Sequence, residues 1–360
     1  MERRLTDYKQ GILKLLKGLG LFQLARYVTR KRLRILCYHG IWMDDRQPNP
    51  FNFLFMRSET FSRRMDLLDR LGYPVLPLEE ALERLGDGSL PDSAVVITID
   101  DGWYGTFRNM VPTLTARGFA ATIYLTTYHA ENGTPVFGVA LQHILVTSPR
   151  RVLDGNATRI ESLNGRSHDL DNPVARDFVY DQVAAFAESR LNAHERVDLL
   201  AEIASTLQYD WAWAASSRQF GLMSLSEARE CSKDGLLTFQ LHTHRHRVRH
   251  NGTSCATLEI AENRQRLLRI SDAPTRHFCY PSGKWQSEDF APLEAAGVRS
   301  ATTTDNGLCS HKTHRLALPR VLDGERISDI EFEAELCGLM ELRRTVIAAL
   351  RGQPRTAKIS

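Results

Sequence analysis

Two adjacent acids, Asp100 and Asp101, stand at the end of an apolar, β-branched run, Ala94–Ile99. A short apolar run bounded by turn residues is typical of a buried strand in a parallel sheet. In α/β folds, ligands bind at the carboxyl ends of such strands. Because successive strand residues point in opposite directions, one carboxylate can bind a metal while the other moves a proton. An Asx-turn completed by Gly102 is the purely structural interpretation of the same residues.

Three further polar stretches also follow apolar runs. They are His39, the histidine-rich stretch His242–His246, and Pro281–Gly283. If the strands are parallel, all of these stretches lie at the same edge of the sheet as the two acids. A lone histidine such as His39 is more often structural, so it is a functional candidate only because the other polar residues are expected at the same edge.

These residue types together favour metal-assisted hydrolysis. Two imidazoles and one carboxylate are a common ligand set for zinc and other divalent metals with open coordination positions. Such a metal polarises a carbonyl oxygen and lowers the pKa of water. A second carboxylate can accept the proton of that water, and a further histidine can protonate the leaving group. The expected reaction is therefore hydrolysis of an amide or an ester.

The spacing leaves open which histidines would bind the metal. In an extended strand His242, His244 and His246 share a face, whereas in a helical turn only His242 and His246 do. Several arginines lie in the same stretch, so a solvated basic loop or a phosphate- or RNA-binding patch is an alternative interpretation. The position after a buried strand favours a metal site.

Alternating strand and helix patterns predict parallel strands joined by crossover helices. The alternation stops between residues 127 and 220, which we interpret as an insertion that covers one end of a barrel and shapes substrate choice. Trp211 and Trp213 lie in that insertion. The predicted organisation is a basic amphipathic N-terminal helix over residues 1–31, a barrel over 32–326, and a C-terminal helical tail over 327–360.

Composition limits the class of protein. The 360 residues are 42% hydrophobic and 25% charged with a net charge of +3, which is ordinary for a globular protein and indicates no nucleic-acid partner. The six cysteines form no CxxC pair, which favours free thiols in a reducing compartment. No apolar run reaches the roughly 18 residues of a membrane span, and no secretory signal is recognisable.

The segment 1–31 mixes basic and apolar residues. A helix of this kind can lie on an anionic membrane surface. The alternative is an accessory helix that packs its apolar stripe on the body of the protein.

The motifs, taken in order, resemble those of the polysaccharide deacetylase family (carbohydrate esterase family 4, the NodB homology domain). Thr98–Gly102 resembles the TFDDG motif of the family, and His242–His246 fits its H-[ST]-x-x-H motif. Phe278–Gly283 resembles the third motif, and Arg315–Val321 resembles the RLPRI segment of one branch. The resemblance covers about Leu33–Val321, apart from the insertion.

The resemblance implies a distorted (β/α)7 barrel, here with a helical insertion and peripheral N- and C-terminal helices. It implies that Asp101, His242 and His246 bind a divalent metal, with zinc as the first expectation. It also implies that Asp100 is the catalytic base and that the backbone N–H of Ser282 helps to form an oxyanion hole.

Two departures from the family pattern are similar to the circularly permuted branch that includes poly-N-acetylglucosamine deacetylases. Cys279 occupies the place of the arginine that usually orients the base, and the late motif with the acid histidine is not recognisable. In that branch the acid histidine lies in an N-terminal Tyr-His strand, which makes His39 the candidate acid. We hypothesise that Arg320 replaces the missing partner of Asp100, a plain surface arginine being the alternative.

The expected function is removal of the N-acetyl group from an amino sugar, in a polysaccharide or in a glycan or lipopolysaccharide precursor. The expected partner is an N-acetylated saccharide. An O-acetyl esterase or another amidase could use the same residues, and a non-catalytic saccharide-binding protein is the third interpretation. A cytoplasmic location is expected, with peripheral attachment to the inner membrane, near lipid-linked saccharides, as a further hypothesis.

Overall fold

The computed structural model describes residues 2–43, 48–250 and 253–351. Seven parallel strands form its centre, and each is hydrogen-bonded to two neighbours in the ring order β1-β7-β6-β5-β4-β3-β2. The strands are β1 (Arg34–Tyr38), β2 (Val95–Asp101), β3 (Ala121–Leu125), β4 (Leu237–Leu241), β5 (His277–Cys279), β6 (Ser300–Asn306) and β7 (Leu318–Leu322). The predicted α/β architecture with seven parallel strands is confirmed.

The ring is irregular where β4, β5, β6 and β7 meet. β4 and β5 share one register pair, Leu241 with Phe278. By contrast, β2 and β3 pair continuously from Ile97 to Asp101. The register of β6 against β7 shifts between Thr302 and Asn306. A bulge of this kind bends a strand and increases its twist, which accounts for the distortion of the ring.

The strands lie beneath a layer of helices. These are α1 (Glu2–Gly18), α2 (Leu21–Val28), α3 (Ser58–Arg70), α4 (Leu78–Asp87), α5 (Val111–Thr115), α6 (Thr127–Asn132), α7 (Phe137–Thr147), α8 (Pro173–Arg190), α9 (Ala193–Thr206), α10 (Trp211–Ser217), α11 (Leu225–Cys231), α12 (Ala256–Leu267), α13 (Phe290–Ala295), α14 (Asp329–Leu336) and α15 (Leu339–Leu350). β1 and β2 are buried along their whole length. Covered on both faces, they show continuous apolar sequence rather than alternation.

Local sequence signals set several helix starts. Ser224 and Glu227 form a capping box at the start of α11, and Asn192 and Glu195 form another at α9. In such a box each side chain accepts a backbone N–H that the helix leaves unpaired.

The predicted insertion, residues 127–220, contains α6 to α10 and a small antiparallel pair, Val152–Asp154 with Ser167–Asp169. Leu145, Val183 and Ile203, from three of its helices, belong to the same buried cluster as the barrel strands. The insertion therefore shares the hydrophobic core of the barrel. Its boundaries remain a prediction.

Trp213 belongs to this core. Its ring lies 5.9 Å from the ring of Trp42 and 6.2 Å from that of His143, centroid to centroid. Trp211 is also packed against the core. The substrate role expected of the two tryptophans stays a prediction.

The N-terminal segment forms two helices, so the prediction of a single helix over residues 1–31 is wrong. α1 ends at Gly18 and α2 begins at Leu21. Gly20, between them, has a φ of 78°, a conformation that glycine adopts at little cost. The apolar periodicity continues across this break, which is why the pattern did not reveal it.

Both N-terminal helices pack on the C-terminal helices. Leu13 and Phe22 are buried against Ala334 and Cys337 of the α14 region. The fully buried Arg34 connects β1 to α14, because its Nε donates to the carbonyl of Leu336 at 2.7 Å. The C-terminal tail is helical to Leu350, and residues 352–360 of the predicted tail lie outside the described residues.

Candidate active site

The strand ends bring the predicted site residues into one cavity of about 810 Å³. Its wall includes six of the seven candidates, listed from the N-terminus as His39, Asp100, Asp101, His242, His246 and Ser282. The seventh, Arg320, is fully buried inside the barrel and contacts Asp100 from below. The parallel topology therefore gathers residues from four strand ends at one edge, and Arg320 reaches them from within β7.

Asp101, His242 and His246 form the candidate metal site. Asp101 Oδ1 lies 3.1 Å from Nε2 of His242 and 3.3 Å from Nε2 of His246. Zinc bonds of about 2.0–2.1 Å place tetrahedral ligand atoms about 3.4 Å apart. The three donor atoms therefore have the spacing and the chemistry that suit a small divalent cation such as zinc.

Neighbouring groups orient two of these donors. Nδ1 of His242 lies 2.8 Å from the carbonyl oxygen of Cys279 and donates to it, which turns Nε2 towards Asp101. Trp103 Nε1 donates to the other carboxylate oxygen, Asp101 Oδ2, at 2.8 Å. Sequence reasoning missed Trp103, although its position two residues after Asp101 was the available signal.

The backbone separates His244 from the other two histidines, a distinction that the spacing left open. Thr243 and His246 have φ values of 65° and 56°, so the chain neither continues as a strand nor forms a right-handed turn. His242 and His246 face Asp101, while Nδ1 of His244 lies 2.9 Å from Thr127 Oγ1. His244 is therefore outside the candidate metal site.

Strained backbone is concentrated at this edge of the barrel. Of the seven described non-glycine residues with positive φ, three line the cavity, namely Asp101, His246 and Ser282, and Thr243 lies next to His242. Such conformations persist only where surrounding contacts impose them, and they cluster at functional sites. Their grouping here indicates that the geometry of these side chains is held for a purpose other than stability.

Asp100 is buried and held by Arg320. Nη1 and Nη2 of Arg320 donate to the two carboxylate oxygens at 2.7 Å each. The sulfur of Cys279 lies 3.4 Å and that of Cys37 3.7 Å from Asp100 Oδ2. Burial opposes ionisation, but the charge and hydrogen bonds of Arg320 outweigh it and lower the pKa of Asp100 to about 2.

Arg320 is no surface residue. Its side chain is fully buried, and its Nε donates to the carbonyl of Thr303 at 2.8 Å. Its Nη2 also lies 3.4 Å from the sulfur of Cys279, at the motif position where an arginine was expected. The guanidinium of Arg320, which belongs to β7, therefore lies beside the side chain of Cys279.

His39 lies on the other side of Asp100. Its Nε2 is 3.7 Å from Asp100 Oδ2, and its side chain is 24% exposed, so it is open to the cavity. Burial lowers the pKa of His39, and the nearby Asp100 and Asp101 only partly oppose this. A lower pKa makes the protonated imidazole a stronger acid and also reduces the fraction that is protonated at neutral pH.

Ser282 occupies a tight turn after β5, Pro281–Gly283, with a φ of 57°. The next residue, Gly283, has a φ of 65°, and a Cβ added there would lie 1.9 Å from Thr304 Oγ1. Only glycine fits this position. The turn therefore places the Ser282 backbone at the cavity wall, next to the strand end that orients His242.

Comparison with known proteins supports the fold. No family model and no curated protein matches the sequence. Among solved structures, the chain resembles the Streptococcus pyogenes deacetylase PplD, with a TM-score of 0.53 at 17% identity over 86% of this chain and 97% of that one. It also resembles BC0361, a polysaccharide deacetylase from Bacillus cereus, with a TM-score of 0.52 at 18% identity over 85% of this chain and 69% of that one.

A third structural relative is a de-N-acetylase from Aggregatibacter actinomycetemcomitans, with a TM-score of 0.51 at 13% identity over 84% of this chain and 99% of that one. At such identities a likeness establishes the fold. The chain therefore has the fold of the solved polysaccharide deacetylases, as its motifs predict.

Proposed function

We propose that this protein is a metal-dependent deacetylase that hydrolyses the N-acetyl group of an amino sugar. The amino sugar belongs to a polysaccharide or to a glycan or lipopolysaccharide precursor. The main support is the convergence of Asp101, His242 and His246 beside a second buried carboxylate, Asp100, in a cavity of a deacetylase-like barrel.

The proposed metal ligands are Asp101, His242 and His246, and zinc is the proposed ion. When bound, a divalent cation would polarise the acetyl carbonyl and lower the pKa of a nearby water, so that a carboxylate as weakly basic as Asp100 can take its proton.

The other proposed roles follow from position and charge. Asp100 stays ionised across the neutral range and accepts a proton from the attacking water, while Arg320 fixes the direction of its oxygens. The backbone N–H of Ser282 donates to the oxygen that becomes negative, an interaction whose loss typically lowers kcat about 100- to 1,000-fold. His39 donates a proton to the departing amine of the sugar.

Acetate release from matched N-acetylated and O-acetylated saccharides tests this function. We expect release from the amide, and a loss of at least about 1,000-fold in Asp100→Asn, because an amide side chain cannot accept the proton. Activity on the ester alone would assign an O-acetyl esterase. Saccharide binding with no turnover of either substrate, and unaffected by metal, would assign a non-catalytic binding protein.

We also propose that α1 and α2 rest on an anionic membrane surface. Seven of the large apolar side chains that are exposed belong to this segment, with exposures between 40% and 71%: Tyr8, Ile12, Leu15, Leu19, Leu24, Tyr27 and Val28. On α1 they recur at helical spacing, on the face opposite the buried Leu13. Residues 8–28 carry four basic side chains and no acid, as suits helices lying at an anionic interface: Lys9, Lys14, Lys17 and Arg26.

None of the described helices is both long enough and apolar enough to cross a bilayer. A cytoplasmic location is proposed on different grounds, namely that all six cysteines are free, five of them buried. Unpaired thiols of this number fit a reducing compartment.

A further inference from the structure

The cavity has two chemically different ends. The end at the barrel edge carries the carboxylates and imidazoles described above, together with Thr304 and Asp323. The other end lies against the insertion and the loop after β1, and its wall is mostly apolar. The wall includes Phe51, Leu54, Phe137, Val139 and Ala184.

The apolar end has room for a group of its own. Cavities of about 300–1,000 Å³ enclose most of a drug-sized ligand, so 810 Å³ exceeds what one acetylated sugar ring requires. Gly138 lets α7 approach α8 closely, since a Cβ there would lie 2.6 Å from the hydroxyl of Tyr180. The two helices of the insertion thus pack closely against each other at this wall.

Several polar side chains on this wall already have partners within the protein, and Gln142 and Tyr180 also line the cavity. Nδ1 of His129 lies 3.1 Å from Thr134 Oγ1. Arg196, which also lines the cavity, donates to the carbonyl of Ala187 at 3.1 Å, and Glu188 pairs with Arg247 at 2.8 Å. A sugar hydroxyl buried here without a partner would weaken binding by about fivefold or more. Each methylene that leaves water at such a wall strengthens binding about fourfold.

We propose that the substrate is an amphiphile: an N-acetylated amino sugar whose aglycone is an alkyl or isoprenoid chain, bound along α7 and α8. This inference rests on the proposed deacetylase function and names its substrate class. The sugar occupies the end with the acids and histidines, and the chain occupies the apolar end. A polymer of polar sugars is the competing occupant.

The test uses methyl, hexyl and octyl glycosides of N-acetylglucosamine below their micelle concentrations, and a chito-oligosaccharide. We expect kcat/KM to rise at least about 100-fold from methyl to octyl, because several methylenes leave water. Equal values along the series, or a preference for the chito-oligosaccharide, would overturn the proposal.

Ala184 and Ala185 provide a matched pair on α8, since Ala184 lines the cavity and Ala185 is exposed beside it. Ala184→Glu should lower the octyl-to-methyl ratio at least tenfold, while Ala185→Glu should leave it unchanged. Ala184→Leu tests the same position if the glutamate variant fails to fold. The larger side chain should fill part of the apolar end of the cavity and so lower the octyl-to-methyl ratio. An unchanged ratio in a folded Ala184→Glu or Ala184→Leu protein would count against the proposed position of the chain.

Calorimetric binding to the Asp100→Asn protein separates this proposal from the proposed function. Tighter binding of the octyl than of the methyl glycoside, without turnover by the wild type, would support the amphiphile site and contradict the deacetylase. Turnover by the wild type, with no preference for the octyl glycoside in binding or rate, would support the deacetylase function and contradict the amphiphile site.

Discussion

Arg320 on β7 and Asp100 on β2 face each other inside the barrel, and the guanidinium donates to both carboxylate oxygens at 2.7 Å. The two residues are 220 positions apart in the sequence, and only β1 lies between their strands in the ring. A fork of two parallel hydrogen bonds fixes both the charge and the orientation of the carboxylate. We therefore assign Arg320 as a positioning residue for the proposed base.

Arg320→Lys should lower kcat by about 10- to 100-fold, because an ammonium group cannot reproduce the two-point contact. The pKa of Asp100 should rise as the fork is lost, so the acid limb of the pH–rate profile should move to higher pH. Arg64→Lys is the control, because Arg64 is another buried arginine and donates to Asp323 at 2.9 Å. Both variants should lose stability, but a shifted acid limb is expected only for Arg320→Lys, and an unshifted limb would contradict the assignment.

The histidine-rich stretch yields a prediction about metal content. His242→Ala should abolish zinc binding, whereas His244→Ala should retain it, because His244 contacts Thr127 and faces away from Asp101. Trp103→Phe should weaken zinc binding about 10- to 100-fold, since it removes the hydrogen bond that orients Asp101. Zinc titration of the metal-free proteins measures all three. Loss of zinc in His244→Ala with retention in His242→Ala would reverse the assignment.

The burial of His143 predicts that the free energy of unfolding depends on pH. It is fully buried among aromatic rings, neither ring nitrogen has a hydrogen-bond partner among the described residues, and burial lowers its pKa from 6.5 to about 4. The unfolded chain binds a proton at higher pH than the folded one. The stabilisation is therefore complete above about pH 6.5 and is lost as the pH falls towards 4, by about 3 kcal/mol in total.

Urea unfolding of wild type and His143→Phe between pH 4 and 7.5 checks this expectation. The difference in free energy of unfolding between the two proteins should grow in favour of the variant as the pH falls. His194→Gln, at an exposed histidine, should show no such trend. Parallel curves for wild type and His143→Phe would contradict the prediction.

The N-terminal helices predict binding to anionic lipid. Leu15→Glu with Leu19→Glu should abolish cosedimentation with phosphatidylglycerol vesicles, because the apolar face becomes charged and acidic. Leu258→Glu with Leu268→Glu, at leucines of similar exposure near α12, should leave it unchanged. Equal sedimentation of both double variants, or equal binding to phosphatidylcholine vesicles, would exclude the proposed contact.

The sequence was informative where a residue's role depends on its place at a strand end. Asp100, Asp101 and His242 directly follow or end buried apolar runs, and parallel topology alone brings such positions together. The alternating pattern predicted parallel strands joined by helices, whereas the seven-stranded barrel was implied by the resemblance to the deacetylase family. Periodicity and strand order are local or topological properties, so they can be derived without coordinates.

Other features depend on geometry that no pattern encodes. The left-handed backbone at Thr243 and His246 excludes His244 from the site, and neither β nor helical spacing describes it. The hydrogen bond from Trp103 and the apolar wall of α7 and α8 arise from side-chain packing across distant segments. The break at Gly20 was missed because one glycine interrupts a helix without interrupting the apolar pattern.

Titrating zinc into metal-free protein while following acetate release from an N-acetylated amino sugar tests the central claim most directly. We expect activity to rise linearly and to saturate at one zinc per chain, and Asp101→Ala to stay inactive throughout. Full activity in the metal-free protein with a chelator present, or zinc-dependent activity in Asp101→Ala equal to the wild type, would contradict the account.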